Sequence, residues 1–163
     1  MGDREKYPRP SVTADAVVFA VESGVPLVLL IRREREPFQG RWAIPGGFCE
    51  PSESVEQAAA RELEEETRLN GVALEQLHTY SAPGRDPRGW VISVAHVGTI
   101  PAARMAEAKG GDDASETRWW RVSERADGGL SLSSGGETAG PLAFDHDDVL
   151  WAALAWFRAR AAP

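Results

Sequence analysis

Between Pro45-Gly46-Gly47 and Asn70-Gly71 the chain has one consistent local reading, a helix. Residues 55–67, VEQAAARELEEET, are nearly all strong helix formers and contain no glycine or proline. Ser54 is a good N-cap and Gln57 stands three residues on, the capping-box spacing. Asn70-Gly71 supplies the stop. The flanking segments do not follow helical periodicity. Val12–Val21 and Leu27–Ile31 are apolar runs separated by Glu22-Ser23-Gly24, which reads as a hairpin or a pair of neighbouring strands. A strand is expected over Leu74–Tyr80, a loop over 83–89, a strand over Trp90–Ile100 and a short strand over Arg118–Val122. Residues 127–141, with five glycines and three serines, read as a loop carrying at most one short strand. A last helix is expected from Asp145, its N-cap, with Val149, Leu150, Leu154 and Phe157 on the buried face. The elements mix helix and strand, with connections too varied for a regular βαβ array, and residues 11–163 read as a single domain behind a flexible arm, residues 1–10.

Composition narrows the function. The 163 residues carry 18 basic and 25 acidic side chains, a net charge of −7. A broad nucleic-acid face shows as a basic excess, so DNA or RNA is not the expected partner. An acidic chain that handles anionic substrates needs a counter-charge, and a divalent metal is the obvious one. The lone Cys49 excludes an internal disulfide framework and a multi-cysteine zinc site. No apolar run approaches the ~20 residues of a membrane span, and residues 1–15 lack a signal-type apolar stretch. No membrane partner and a cytoplasmic location are the expectations.

The chemistry concentrates on the first helix. At about 100° per residue, Glu66 lies about 40° round from Glu62 and Glu65 about 60° the other way. All three carboxylates project from one face, and like charges at that spacing cost a few tenths of a kcal/mol each unless something offsets them. Hard divalent cations take carboxylate oxygens, and Mg²⁺ pairs one or two carboxylates with waters and substrate phosphates. Glu64 points the other way, to solvent. Gly46 and Gly47 allow backbone to approach a ligand, so a carbonyl there could join the shell. Arg61 adjoins the cluster and could pair bidentately with Glu53, pinning the preceding loop to the helix.

These residues resemble the signature box of the Nudix hydrolases: Gly, five residues, Glu, seven residues, then Arg-Glu-aliphatic-any-Glu-Glu-any-Gly-aliphatic. Gly47, Glu53, Arg61, Glu62, Leu63, Glu65, Glu66 and Leu69 all fall on it. Six fixed identities arise by chance with a probability on the order of 10⁻⁸–10⁻⁷ per start site. The pattern's second glycine is Arg68 here, which implies a helix running on slightly to an Asn70-Gly71 cap. The resemblance implies an α/β/α sandwich around a mixed sheet and Mg²⁺- or Mn²⁺-dependent hydrolysis of a nucleoside-linked diphosphate. It implies Glu62 and Glu66 as principal metal ligands, Glu65 sharing a second ion and the Gly47 backbone contributing. Glu62 and Glu65 are also catalytic candidates, with Glu53 and Arg61 structural. For the general base, the loop holding Asp112, Asp113 and Glu116 offers Glu116.

A second stretch, Arg85-Asp86-Pro87-Arg88-Gly89 before the strand VISVAHVG, looks like a segment of ADP-ribose pyrophosphatases and of related ADP-ribose-sensing regulators, and Ala143-Phe144-Asp145-His146 fits the same branch. Arg85 and Arg88, in a loop stiffened by proline, suit phosphate or ribose oxygens. Trp42 could stack on a base, with Arg41 beside it as a further substrate contact, or belong to the core. His146 reads as a cap or surface residue. The resulting expectation is ADP-ribose split to AMP and ribose 5-phosphate. Two alternatives stay open: a house-cleaning hydrolase of non-standard nucleoside triphosphates, and a regulatory module that binds ADP-ribose without cleaving it. Regulators of that kind carry a DNA-binding domain after the Nudix domain, whereas this chain ends at Pro163 soon after the last helix. A homodimer is compatible with the sugar-nucleotide branch.

Overall fold

The computed structural model describes residues 6–111 and 114–161, and of Ser115 the backbone only. The elements run β1 (Ser11–Glu22), β2 (Val25–Arg33), β3 (Trp42–Ala43), β4 (Gly46–Phe48), α1 (Val55–Thr67), β5 (Glu75–Tyr80), β6 (Val91–Thr99), β7 (Ala114–Glu124), β8 (Leu130–Ser134), β9 (Glu137–Ala139) and α2 (His146–Ala161), with a 3₁₀ turn at Ala102–Glu107. The sheet order is β5-β6-β1-β2-β7-β8-β9, with β3 on β2 and β4 on β1. β1 and β6 are parallel and the other pairs antiparallel, so the sheet is mixed.

Side-chain alternation along β1 divides the molecule into layers. Ala14, Ala16, Val18 and Ala20 face α1 and pack with Ala58, Ala59 and Leu63. Val17 and Phe19 face α2 and pack with Val149, Leu150, Ala153 and Leu154. The alanines on both sides of the α1 interface let helix backbone and sheet approach closely. The expected α/β/α sandwich is the observed one.

Local chemistry explains most element ends. Ser23 and Gly24 both have positive φ, the requirement of a two-residue type I′ hairpin turn between β1 and β2. Ser54 accepts from the Gln57 N–H and the Gln57 side chain accepts from the Ser54 N–H, closing the capping box. Three expectations are corrected. The helix does not run past Arg68: Arg68 itself takes the left-handed conformation, φ 66°, and its N–H bonds the Glu64 carbonyl. Residues 127–141 are not a loop: β8 and β9 form a hairpin whose turn, Gly135-Gly136, again has positive φ at both positions. Asp145 does not spend its side chain on a cap; both its oxygens bind Arg85, at 2.6 and 2.8 Å. The arm expected over residues 1–10 lies partly outside the described residues; residues 6–9 are exposed ahead of β1.

Candidate active site

Two adjacent glycines hold the site together. Gly46 and Gly47 lie on β4, antiparallel to β1, directly against α1. The Gly46 N–H donates to Glu66 Oε2 at 3.0 Å. A Cβ on Gly47 would stand 2.5 Å from the Glu62 carboxylate. Any side chain at Gly47 would therefore displace Glu62. Both carboxylates are largely buried, and both are pushed up in pKa chiefly by that burial, Glu66 to about 8. Two acids buried side by side are a site that a cation would stabilise.

Arg61 organises the rest of the cluster. Its guanidinium grips Glu53 bidentately, at 2.9 and 2.6 Å, and holds Glu53 down to a pKa of about 2. The Glu50 N–H also donates to Glu53. The same guanidinium reaches Glu62 at 2.8 Å, Glu65 at 3.2 Å and the Phe48 carbonyl at 3.1 Å. Glu53 and Arg61 thus tie the loop after β4 to α1. Glu65 is the most exposed of the three helix acids and sits at the rim. Among the described residues, no three carboxylate, imidazole or thiol groups are already drawn together tightly enough to hold a metal ion. Arg61 occupies Glu62 and Glu65, so a bound cation would compete with it for both. The donor set is all oxygen and suits Mg²⁺ or Mn²⁺. Glu62, Glu66 and backbone at Gly46–Gly47 are the donors that could hold such an ion.

Glu62 and Glu66 line a cleft of about 500 Å³, whose walls include Ile31, Arg33, Phe48, Cys49 and Arg88. Arg88 is aimed by Asp86, an almost fully buried carboxylate that accepts from its Nε and Nη2 and from its backbone N–H. The Arg88 guanidinium rests over the Phe48 and Phe144 rings, 4.6 and 5.1 Å from their centroids. Arg33 approaches Phe144 as well, at 4.9 Å, and donates to the Pro37 carbonyl. Burial, then the neighbouring Arg88, lower the Arg33 pKa. Cys49 is a protonated thiol, its pKa raised first by burial and then by surrounding acids.

Several expected site residues stand elsewhere. Glu116 is on a strand, not in a loop, and is bound to Arg118. Alternation on β7 puts Glu116, Arg118 and Trp120 on the α2 face, whereas Trp119 packs on the α1 side. Glu116 therefore faces away from the helix acids. Asp112 and Asp113 lie outside the described residues. Trp42 packs edge-on against Trp120, 4.9 Å between centroids, in the α2-side core. Arg41 is exposed over Phe38, and neither residue lines the acidic cleft. Arg85 is 4% exposed and committed to Asp145, so it braces the 83–89 loop against α2. His146 is buried, not a surface residue. The sequence reading missed Arg33, Asp15, Ser93 and the interior role of His146. Asp15, a lone charge within the apolar run TADAVVFA, was the available signal.

Residues 9–132 match the family description of the NUDIX domain. The chain belongs to the Nudix family. The match and its relatives place it among the Nudix diphosphohydrolases. It is 35% identical over 150 residues to the ADP-ribose pyrophosphatase of Methanocaldococcus jannaschii, covering 92% of this chain and 76% of that protein. It is 34% identical over 154 residues to the ADPR responsive transcriptional repressor NtrR of Acinetobacter baylyi, covering 93% of this chain but only 56% of the repressor. Among solved structures, the NUDIX domain of Shewanella oneidensis NrtR complexed with ADP ribose superposes with a TM-score of 0.76 at 30% identity, over 96% of this chain and 94% of that one. A bifunctional NMN adenylyltransferase/ADP ribose pyrophosphatase from Francisella tularensis, complexed with AMP and a Mn ion, gives a TM-score of 0.69 at 25% identity, over 92% and 42%. A repressor among the relatives means the family likeness does not exclude a nucleic-acid partner. Among the described residues no helix is long and apolar enough to cross a membrane.

Proposed function

We propose that this Nudix protein hydrolyses the diphosphate of ADP-ribose, giving AMP and ribose 5-phosphate, with Mg²⁺ or Mn²⁺ held by Glu62 and Glu66 and shared by Glu65. The observation that carries the reading is one cleft in which the largely buried carboxylates of Glu62 and Glu66 lie with Arg33 and Arg88. A cation bound there supplies charge neutralisation of the diphosphate and a more acidic bound water. The chain's own residues do the rest. Arg88, aimed by Asp86, and Arg33 offer forked donors to phosphate oxygens at fixed positions. Phe48 on the cleft and Phe144 in the neighbouring cavity pack against the Arg88 guanidinium and limit water around it. With Glu116 on the other sheet face, proton acceptance from the attacking water falls to Glu62 and Glu65. The likeness to ADP-ribose-binding relatives favours a sugar nucleotide over a nucleoside triphosphate. A cytoplasmic location and action as a homodimer belong to the same proposal.

A repressor relative brings a second reading, binding without turnover. The complete acid set in the cleft favours hydrolysis. A panel of nucleoside diphosphate derivatives and triphosphates, assayed with Mg²⁺ and resolved by chromatography, separates the readings. AMP with ribose 5-phosphate, abolished by EDTA, is expected. A monophosphate with pyrophosphate identifies triphosphate cleavage, and tight ADP-ribose binding with no product identifies a sensor.

A further inference from the structure

Beside the acidic cleft lies a smaller cavity of about 50 Å³. The two meet at Ile31, Arg33, Gly46, Gly47 and Arg88. The small cavity is further lined by Arg85, which is paired with Asp145, and by Thr13, Asp15 and His146, polar side chains less than a tenth exposed and without a part in the hydrolytic reading above. Their hydrogen bonding sets their chemistry. His146 Nδ1 accepts the Ile44 backbone N–H at 3.0 Å, which leaves the ring proton on Nε2. That N–H is a donor facing Asp15, but Asp15 Oδ2 is 3.9 Å away, beyond hydrogen-bond reach. Asp15 cannot close the gap. The Ser93 hydroxyl donates to the same Oδ2, and Gly46 backs the other oxygen so closely that a Cβ there would stand 2.1 Å from Oδ1.

A fixed donor and a fixed acceptor at this separation call for a particular ligand atom. An oxygen about 2.8 Å from both subtends roughly 90° between them, an acceptable angle for one accepted and one donated bond. A hydroxyl does both, accepting from His146 and donating to Asp15. An ionised phosphate oxygen has no proton to give Asp15 and carries like charge. The volume bounds size: about 50 Å³ accommodates a hydroxyl and its carbon but not a base. Arg33 and Arg88 stand at the shared mouth, where a diphosphate oxygen would lie next to that hydroxyl.

We infer that the His146–Asp15 pair reads a single hydroxyl of the sugar on the far side of the diphosphate, and so selects sugar nucleotides over nucleoside triphosphates. This rests on the ADP-ribose reading and names the atoms that enforce it. Neither residue is assigned a part in the reaction at phosphorus; their role is specificity.

The test begins with the unaltered protein and Mg²⁺. kcat/KM is measured for ADP-ribose and for analogues each lacking one hydroxyl of the terminal ribose. One analogue should fall by about 10–100-fold, the range for losing a hydrogen bond to a charged group, and the others by less than about threefold. In Asp15→Asn and His146→Gln that selectivity should shrink to below about threefold. Cleavage of the ADP β-methyl ester, which has no sugar hydroxyl, should stay at the parent rate. Uniform rates across the deoxy analogues would overturn the inference and leave a water-binding cavity only. So would variants that lose sugar nucleotide and methyl ester equally, the mark of a merely structural pair. If ADP-ribose is not turned over but another sugar nucleotide is, the substrate reading alone fails, and the hydroxyl deletions are made on that substrate. If nothing is cleaved, the same ratios are read as Kd values for ADP-ribose and its deoxy analogues.

Discussion

Glu66 sets burial against charge within one side chain. Its carboxyl is 8% exposed, accepts one backbone N–H, and is pushed up to about 8. The folded chain therefore holds a proton that the unfolded chain releases near pH 4.5, and stability falls as pH rises through that window. Glu66→Gln keeps the acceptor for Gly46 and removes the charge. In EDTA its Tm should exceed the parent's at pH 9, with the gap closing towards pH 5. Turnover with Mg²⁺ should drop by about 10²–10⁴-fold. Equal melting curves at pH 9 would show that the carboxylate is not strained by burial. Arg68 shows a smaller conflict. A non-glycine residue at φ 66° costs about 1 kcal/mol, so Arg68→Gly should raise stability by about that much, read by denaturant titration. Glu62, Glu65 and Glu66 could be placed on one helix face from spacing alone, since helical geometry is local. Their unequal environments could not, because burial depends on Gly46 and Gly47 arriving from another strand.

Whole elements place the acids. α1 is fixed at its start by the Ser54–Gln57 box, along one face by Ala58, Ala59 and Leu63, and through Arg61 by the loop behind β4. Ser54→Ala should cost about 1 kcal/mol, a fall in Tm of about 2–4 °C, with KM for substrate little changed. A large rise in KM would show that the cap also sets the position of Glu62 and Glu66. β7 shows how an element decides a role. Read as a loop residue, Glu116 could reach any neighbour. Within a strand its direction is dictated by alternation, and it joins Arg118 on the α2 face. The β8–β9 hairpin was hidden because glycine-rich sequence encodes turns and flexible loops alike, and the strand between Gly129 and Gly135 is only five residues long.

For the whole molecule, the junction of β1, β4, β6 and α2 is a second point, besides Glu66, where pH acts on the fold. His146 is buried, and that burial lowers its pKa below the ordinary imidazole value of 6.5. The unfolded imidazole takes up a proton near pH 6.5 while the folded one does not until lower pH. His146's contribution to stability is therefore full above pH 6.5 and declines as pH falls below it, opposite in sign to that of Glu66. Melting curves from pH 7.5 to 5 in the Glu66→Gln background, where the opposing titration is gone, should show this loss, and adding His146→Gln should lessen it. The chain itself determined the helix, the hairpin between β1 and β2, the signature acids and the apolar layers, because periodicity, capping and turn chemistry act between residues close in sequence. Only the tertiary structure decided that Trp42 is core, that Arg85 braces α2 while Arg88 faces the cleft, and that Asp15, Ser93 and His146 meet. Those contacts join residues from distant parts of the chain, and their partners are set by which strands lie side by side and which face each side chain takes.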